Sequence, residues 1–137
     1  VFDRVTIVIS TNSQKVPLFE LSDSIRMVSE ATKCWSQVDV DHNDGLTVDY
    51  ARRNGIHTAI RGLRAVTDFE HEFSMALTNR SLWGEFDTVF LMTKAEYMYL
   101  SSSVVRQVAQ LGGDISQFVP KCVEIELREK FDKKPKA

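Results

Sequence analysis

The sequence predicts an α/β domain, a doubly wound parallel sheet with helices on both faces. Three observations carry that reading. Short β-branched runs recur along the chain, each followed by a stretch with helical periodicity, and the alternation repeats four times. The first of them, Val5 to Ile9, is nearly continuous, as a buried parallel strand should be. The length of 137 residues with 43% hydrophobic and 26% charged residues suits one globular domain with an ordinary core.

Val5-Thr-Ile-Val-Ile9 is the first strand, and the polar loop Ser10 to Val16 after it carries Lys15. Leu21, Ile25 and Val28 share one helical face, so a helix is expected from Leu21 to Lys33. Val38-Asp-Val40 reads as a short strand and Asp41 to Gly45 as a loop. Thr47 is placed to cap a helix that ends at Asn54, with Gly55 as its C′ residue. Thr58-Ala-Ile60 is the third strand and leads into Arg61-Gly-Leu-Arg64. A helix opened by Thr67 or Asp68 continues to Leu82, with Phe69, Phe73, Ala76, Leu77 and Arg80 keeping its period. Thr88 to Met92 is the fourth strand. Ser101-Ser-Ser103 opens a helix through Leu111, which Gly112-Gly113 closes. Pro120 suits the N1 position of a last helix to Phe131. The domain is expected to span 1–131, with 132–137 a charged tail.

Lys plus Arg number 17 and Asp plus Glu 19, a net charge of −2. A general nucleic-acid binder is basic overall, so neither nucleic acid nor membrane is an expected partner, and any anion site must be local. No apolar run approaches the roughly 20 residues of a membrane span. Cys34 and Cys122 form no C-x-x-C pair and read as reduced, cytoplasmic thiols. His42, His57 and His71 show no metal spacing, so no protein metal cage is expected.

In open α/β sheets, ligands bind beyond the carboxyl ends of the strands. Arg61 and Arg64 flank Gly62 at such an end. Two guanidinium forks there suit a polyphosphate, with glycine allowing close backbone approach. The alternative is a pair of surface arginines bonded to Asp68, Glu70 or Glu72. Ser101 to Ser103 offer hydroxyls and free N–H groups at a helix start, for phosphate or simply for capping. Tyr97 and Tyr99 could lie beside an adenine or pack on the core. Lys15 could reach the same crevice. Glu70 and Glu72 point to different helix faces and form no acid–base dyad. Neither a Walker loop nor G-x-G-x-x-G is present. With no nucleophile or triad discernible, the pattern fits group transfer run by positioning and electrostatics.

Ile60-Arg-Gly-Leu-Arg-Ala-Val-Thr-Asp-Phe-Glu-His-Glu72, Tyr97-Met-Tyr-Leu-Ser-Ser-Ser-Val104 and Gly113-Asp-Ile-Ser-Gln-Phe-Val-Pro120, in that order, closely resemble bacterial phosphopantetheine adenylyltransferase. The resemblance runs from Val1 to Phe131. It implies a nucleotidylyltransferase (Rossmann-like) fold, usually hexameric, that makes dephospho-coenzyme A from ATP and 4′-phosphopantetheine with magnesium. By position, it implies that Lys15 contacts the transferring phosphates and that Thr47 and Arg61 hold phosphopantetheine. Gly62, Leu63 and Arg64 would contact ATP, Arg64 on its phosphates, with Glu72 lining the same site. Tyr97, Met98, Tyr99, Leu100, Ser101, Ser102 and Ser103 would wrap the nucleotide. Lys15 and Arg64 would be the catalytic cations, and coenzyme A a feedback ligand.

The family's opening strand, its G-[ST]-F-D-P loop and the helix opened by a glycine–histidine pair have no counterpart in this chain. His42, His57 and His71 do not match that histidine. The absent strand is central in the family's sheet, so a slot between two other strands is expected. Val1, in place of Met, reads as a chain that begins partway through its protein. Two readings compete: an adenylyltransferase, or a truncated or degenerate module that binds nucleotide or coenzyme A without turnover. A third is a relative with another acceptor, such as a nicotinamide or glycerol phosphate. Glu20 stands where the family often has a capping hydroxyl.

Overall fold

The computed structural model describes residues 1–11 and 16–132. Lys15 and the tail beyond Asp132 lie outside the described residues. The chain runs β1 (Val5–Ser10), α1 (Leu21–Thr32), β2 (Val38–Asn43), α2 (Thr47–Arg53), β3 (Thr58–Leu63), α3 (Val66–Leu82), β4 (Asp87–Met92), a 3-10 turn (Ala95–Tyr97), α4 (Ser102–Gln110) and α5 (Lys121–Asp132). The α/β class read from the alternation is borne out. The strands pair as two ladders, β1 with β2 and β3 with β4. Contacts gather into two compact units, Val1–His42 with the chain from Leu100 onward, and Asn43–Tyr99. Among the described residues no helix is long and apolar enough to cross a membrane.

In the first unit, Val105, Ile115 and Leu127 form the core, with Leu18, Phe19 and Phe118 packed against them. Ile115 is fully buried. Helix α1 starts after Glu20, whose side chain makes no capping bond, as the sequence implied. Such a gap costs about 1 kcal/mol. Arg26 of α1 reaches Glu126 of α5 at 2.8 Å, and the Cys122 thiol donates to the Met27 carbonyl at 3.6 Å. Helix α4 ends in a Schellman motif: Gly112 takes φ +76°, its N–H bonds the Ala109 carbonyl, and the Gly113 N–H bonds the Val108 carbonyl at 2.9 Å. Pro120 lies one residue before α5 and its carbonyl accepts from Val123 and Glu124, so it stands just outside N1. Glu124 is buried, a rare place for a carboxylate, and is matched by Lys121 and Arg128, each at 3.0 Å. Those two partners, Lys121 first, hold its carboxyl below the ordinary range.

In the second unit, Val48, Ala51 and Phe86 form the core, joined by Ile56, Ala59 and Trp83. Helix α2 also closes on a Schellman motif, with Gly55 at φ +64° and the Ile56 N–H on the Ala51 carbonyl. Strands β3 and β4 are parallel, in register from Thr58 opposite Asp87 to Leu63 opposite Met92, with α3 as the crossover. This βαβ unit sets the carboxyl end of β3, where the sequence places its cations.

Three boundaries differ from the sequence reading. Asp41, His42 and Asn43 continue β2 instead of forming a loop. Arg61, Gly62 and Leu63 belong to β3, because a backbone ladder to Phe90, Leu91 and Met92 accepts any side chain. Helix α3 begins at Val66, ahead of both candidate caps; Ala65 is its N-cap, without a side-chain bond.

Candidate functional site

Strand β3 ends on Leu63, which is buried and locks the strand into its unit, while Arg61 projects from the same strand. Arg61 donates from Nε to Glu72 Oε2 at 2.8 Å and from Nη2 to Glu72 Oε1 at 2.6 Å. This is a bidentate fork, the strongest common side-chain pairing. Arg64, the first residue beyond β3, donates from Nε to Asp68 Oδ2 at 3.0 Å. The sequence left open whether these arginines grip phosphate or pair with acids; in this structure both have carboxylate partners on the first two turns of α3. A paired arginine still presents cation to a ligand. The Glu72 pair engages Nε and Nη2, and Nη1 is not part of it.

The electrostatics follow the geometry. The hydrogen bonds from Arg61 hold the Glu72 carboxyl below its ordinary value of 4.5, against the opposing effect of burial. The same bonds raise Arg61 above its already high value. Arg64 lowers Asp68 in the same way. Among the described residues, a Cβ on Gly62 would meet only Thr93 Oγ1, at 4.0 Å. The Thr93 N–H bonds the Leu63 carbonyl at 2.9 Å, tying the exit of β4 to the end of β3.

Thr47 is the first residue of α2 and is exposed. It does not cap the helix; Leu46 occupies the cap position without a side-chain bond. The turn before it is instead held by Asn43. The Asn43 amide donates to the Gly45 carbonyl at 2.8 Å and to the Leu46 carbonyl at 3.3 Å, and its Oδ1 accepts from the Gly45 N–H. Asn43 is buried. Sequence reasoning missed it, although Asn-Asp-Gly is a turn signal that names the residue able to bond its own backbone. Tyr97, Met98 and Tyr99 close this unit on and after the 3-10 turn, and all three are exposed. Core packing is therefore not their role here.

The remaining candidates belong to the other unit. Leu100 packs against the Val105–Ile115–Leu127 core. Ser101 is the N-cap of α4: its backbone is extended and its Oγ accepts from the Val104 N–H at 3.2 Å. Ser102 meets Arg106, which donates to the Ser102 carbonyl at 3.2 Å and to its Oγ at 3.4 Å. Arg106 was also missed. Four residues after Ser102, on the helix that the serines open, it falls on the same face by simple helical spacing. Ser103 is exposed in the first turn. A cavity of about 590 Å³ opens in this unit, bounded by Leu18, Ser101, Ser102, Arg106 and Phe118.

His57 packs against Trp83 at 5.0 Å between ring centres and lies 3.8 Å from Glu85. Among the described residues no three His, Cys, Asp or Glu side chains gather as a metal site.

The cytidylyltransferase-like family profile matches residues 1–108. The phosphopantetheine adenylyltransferase of Carboxydothermus hydrogenoformans is 48% identical over 132 residues, 96% of this chain and 82% of the relative. That of Caldanaerobacter subterraneus is 46% identical over the same shares. That of Desulforudis audaxviator is 48% identical over 131 residues, 96% of this chain and 80% of the relative. The chain belongs to the phosphopantetheine adenylyltransferases, within the cytidylyltransferase-like family. The profile match spans the Arg61–Arg64 segment, Glu72 and Tyr97 through Ser103, so every described candidate lies inside the family's own region. Asn43 and Arg106 lie inside it too.

Proposed function

We propose that this protein transfers an adenylyl group from ATP to 4′-phosphopantetheine, giving dephospho-coenzyme A and pyrophosphate, a step of coenzyme A biosynthesis. Membership of the family makes it a nucleotidyltransferase. The observation that carries the reading is the pair of oriented guanidinium groups at the carboxyl end of a parallel strand, Arg61 and Arg64 around Gly62.

In this reading a phosphate oxygen of phosphopantetheine attacks the α-phosphorus of ATP. The new P–O bond forms as the bond to the β-phosphate oxygen breaks, and pyrophosphate leaves. The nucleophile is already an anion, so no strong base is required. The barrier lies in bringing two anions together and in charge gathering on the leaving group, and oriented cations lower both. Arg61 and Thr47 take the acceptor phosphate end. Arg64, with Gly62 and Leu63, takes ATP, and Lys15 approaches the transferring phosphates. Tyr97 through Ser103 line the nucleotide, with the start of α4 offering N–H groups to phosphate. Magnesium belongs to the proposal as a partner of the triphosphate. Bound there, it would keep waters and substrate phosphates as ligands and would need few protein carboxylates. When bound it would neutralise phosphate charge.

The proposal extends to a cytoplasmic, hexameric enzyme that coenzyme A restrains. Exposed Phe69, Phe73 and Leu77 along α3 support subunit contacts. Light scattering of the purified protein tests the hexamer, and a monomer at micromolar concentration would remove it. The function itself is tested by pyrophosphate release with ATP and magnesium. Release that requires phosphopantetheine, with dephospho-coenzyme A identified by mass, is expected. Release driven instead by a nicotinamide or glycerol phosphate, or nucleotide binding with no turnover, would contradict it.

A further inference from the structure

Arg106 differs from the two arginines at the end of β3. Arg61 and Arg64 each bond a carboxylate, Glu72 and Asp68. Among the described residues Arg106 bonds none. Its Nε donates to the Ser102 carbonyl at 3.2 Å and its Nη2 to the Ser102 Oγ at 3.4 Å. Both partners are neutral, so the cation is held in place while its charge stays unmatched. Its position adds to this. Arg106 is the fifth residue of α4, and its side chain turns back along the helix to the first turn. Unpaired backbone N–H groups make a helix start positive, and a cation is disfavoured there unless an anion joins it. No acidic side chain stands in the first turn of α4. Arg106 is half-buried, on the rim of the cavity of about 590 Å³ with Ser101 and Ser102, and Val105, Phe118 and Leu127 supply apolar wall. Apolar surroundings lower the local dielectric and strengthen a charge–charge contact made at that rim.

We infer that Arg106 is a further ATP-binding residue: its guanidinium, steered by Ser102, takes a phosphate oxygen of the nucleotide at the start of α4. The inference rests on the reading that Ser101 through Ser103 face the nucleotide's phosphates, and it adds a cation that the serine run does not disclose. Hydroxyls and N–H groups donate to phosphate but carry no net charge. A guanidinium supplies the charge as well as a planar set of donors. Its contacts with Ser102 use Nε and Nη2, which leaves the Nη1 donors for phosphate. Those contacts also order a long side chain before the ligand arrives, so less rotamer freedom is lost on binding.

The test is a calorimetric titration of the purified protein with ATP and magnesium, beside steady-state kinetics with each substrate varied in turn. Arg106→Met keeps an apolar stem at the rim and removes the charge. It is expected to raise the Kd and the KM for ATP about tenfold, the scale of one charge-assisted hydrogen bond, and to leave the KM for phosphopantetheine unchanged. Arg106→Lys keeps the charge and is expected to recover part of that loss. The thermal midpoints of both variants are expected to stay close to that of the wild type, which separates a binding role from a folding defect. An unchanged ATP Kd in Arg106→Met would overturn the inference. Equal losses in the methionine and lysine variants would make the arginine a brace of Ser102 and overturn it too. So would a rise confined to the phosphopantetheine KM, which would move Arg106 to the acceptor. If the wild type neither binds ATP nor releases pyrophosphate, the proposed function falls and the inference with it. If the wild type does both and Arg106→Met matches it, only the role of Arg106 falls.

Discussion

In the unit built on β3 and α3, the candidate cations Arg61 and Arg64 are each held by a carboxylate, Glu72 and Asp68. In the unit built on α4 and α5, the candidate hydroxyl of Ser101 is engaged by its own helix, and Ser102 meets Arg106 from the next turn. The first arrangement orients charge and responds to pH and salt. The second shapes a helix end, with the Ser101 hydroxyl accepting from the Val104 N–H. Two ways of holding polar groups in place thus sit on two separately packed cores, and each can be perturbed by itself.

The largest effect expected from breaking one side is the loss of its core. Phe86 is 2% exposed and stacks on Trp83 at 6.0 Å. Phe86→Ala should destabilise the β3–α3 unit by about 3–5 kcal/mol, read as a fall in urea midpoint. Gly113→Ala acts on the other side. A Cβ there would lie 2.6 Å from Val108 Cγ1 and 3.2 Å from its carbonyl oxygen. About 1–3 kcal/mol should be lost, with helix signal melting earlier. Ser101→Ala removes the α4 cap and should cost about 1 kcal/mol in the same assay.

Acid sharpens the contrast further. Arg61 depresses Glu72 below 4.5 in the fold, so the pair's contribution to stability is complete above that pH and is lost as pH falls through the lower folded value. A thermal midpoint followed from neutral pH down to about pH 3 should therefore fall less steeply in Glu72→Gln than in the wild type. Ser101→Ala should parallel the wild type over that range, since a neutral hydroxyl carries no such linkage.

The parts legible in the sequence were those set by side-chain pattern. The β-branched runs gave the cores of β1, β3 and β4. The Leu21–Ile25–Val28 spacing gave α1, and the two glycine stops gave the ends of α2 and α4, where φ is +64° and +76°. What the pattern could not carry was backbone pairing. Asp41 to Asn43 are polar, and Arg61 and Gly62 interrupt an apolar run, so both stretches look like loops, yet they continue β2 and β3. The site was legible as residue types at a strand end, and its acids were named as the alternative partners: the structure bonds Arg61 to Glu72, across eleven residues of sequence, and Arg64 to Asp68. Asn43 was passed over because β2 was ended too early. The Thr47 cap failed for a similar reason, since the turn that would need it is already held by the Asn43 amide.

The proposed transfer depends most directly on Arg64, the cation assigned to charge developing on the ATP phosphates. Pyrophosphate release by Arg64→Ala at saturating ATP and phosphopantetheine is the measurement. Loss of one such donor costs roughly 3–4 kcal/mol of barrier, so turnover should fall by two to three orders of magnitude. The thermal midpoint should stay close to that of the wild type, because the Arg64–Asp68 pair is a partly exposed i, i+4 contact. Turnover unchanged in a folded Arg64→Ala protein would contradict the central claim.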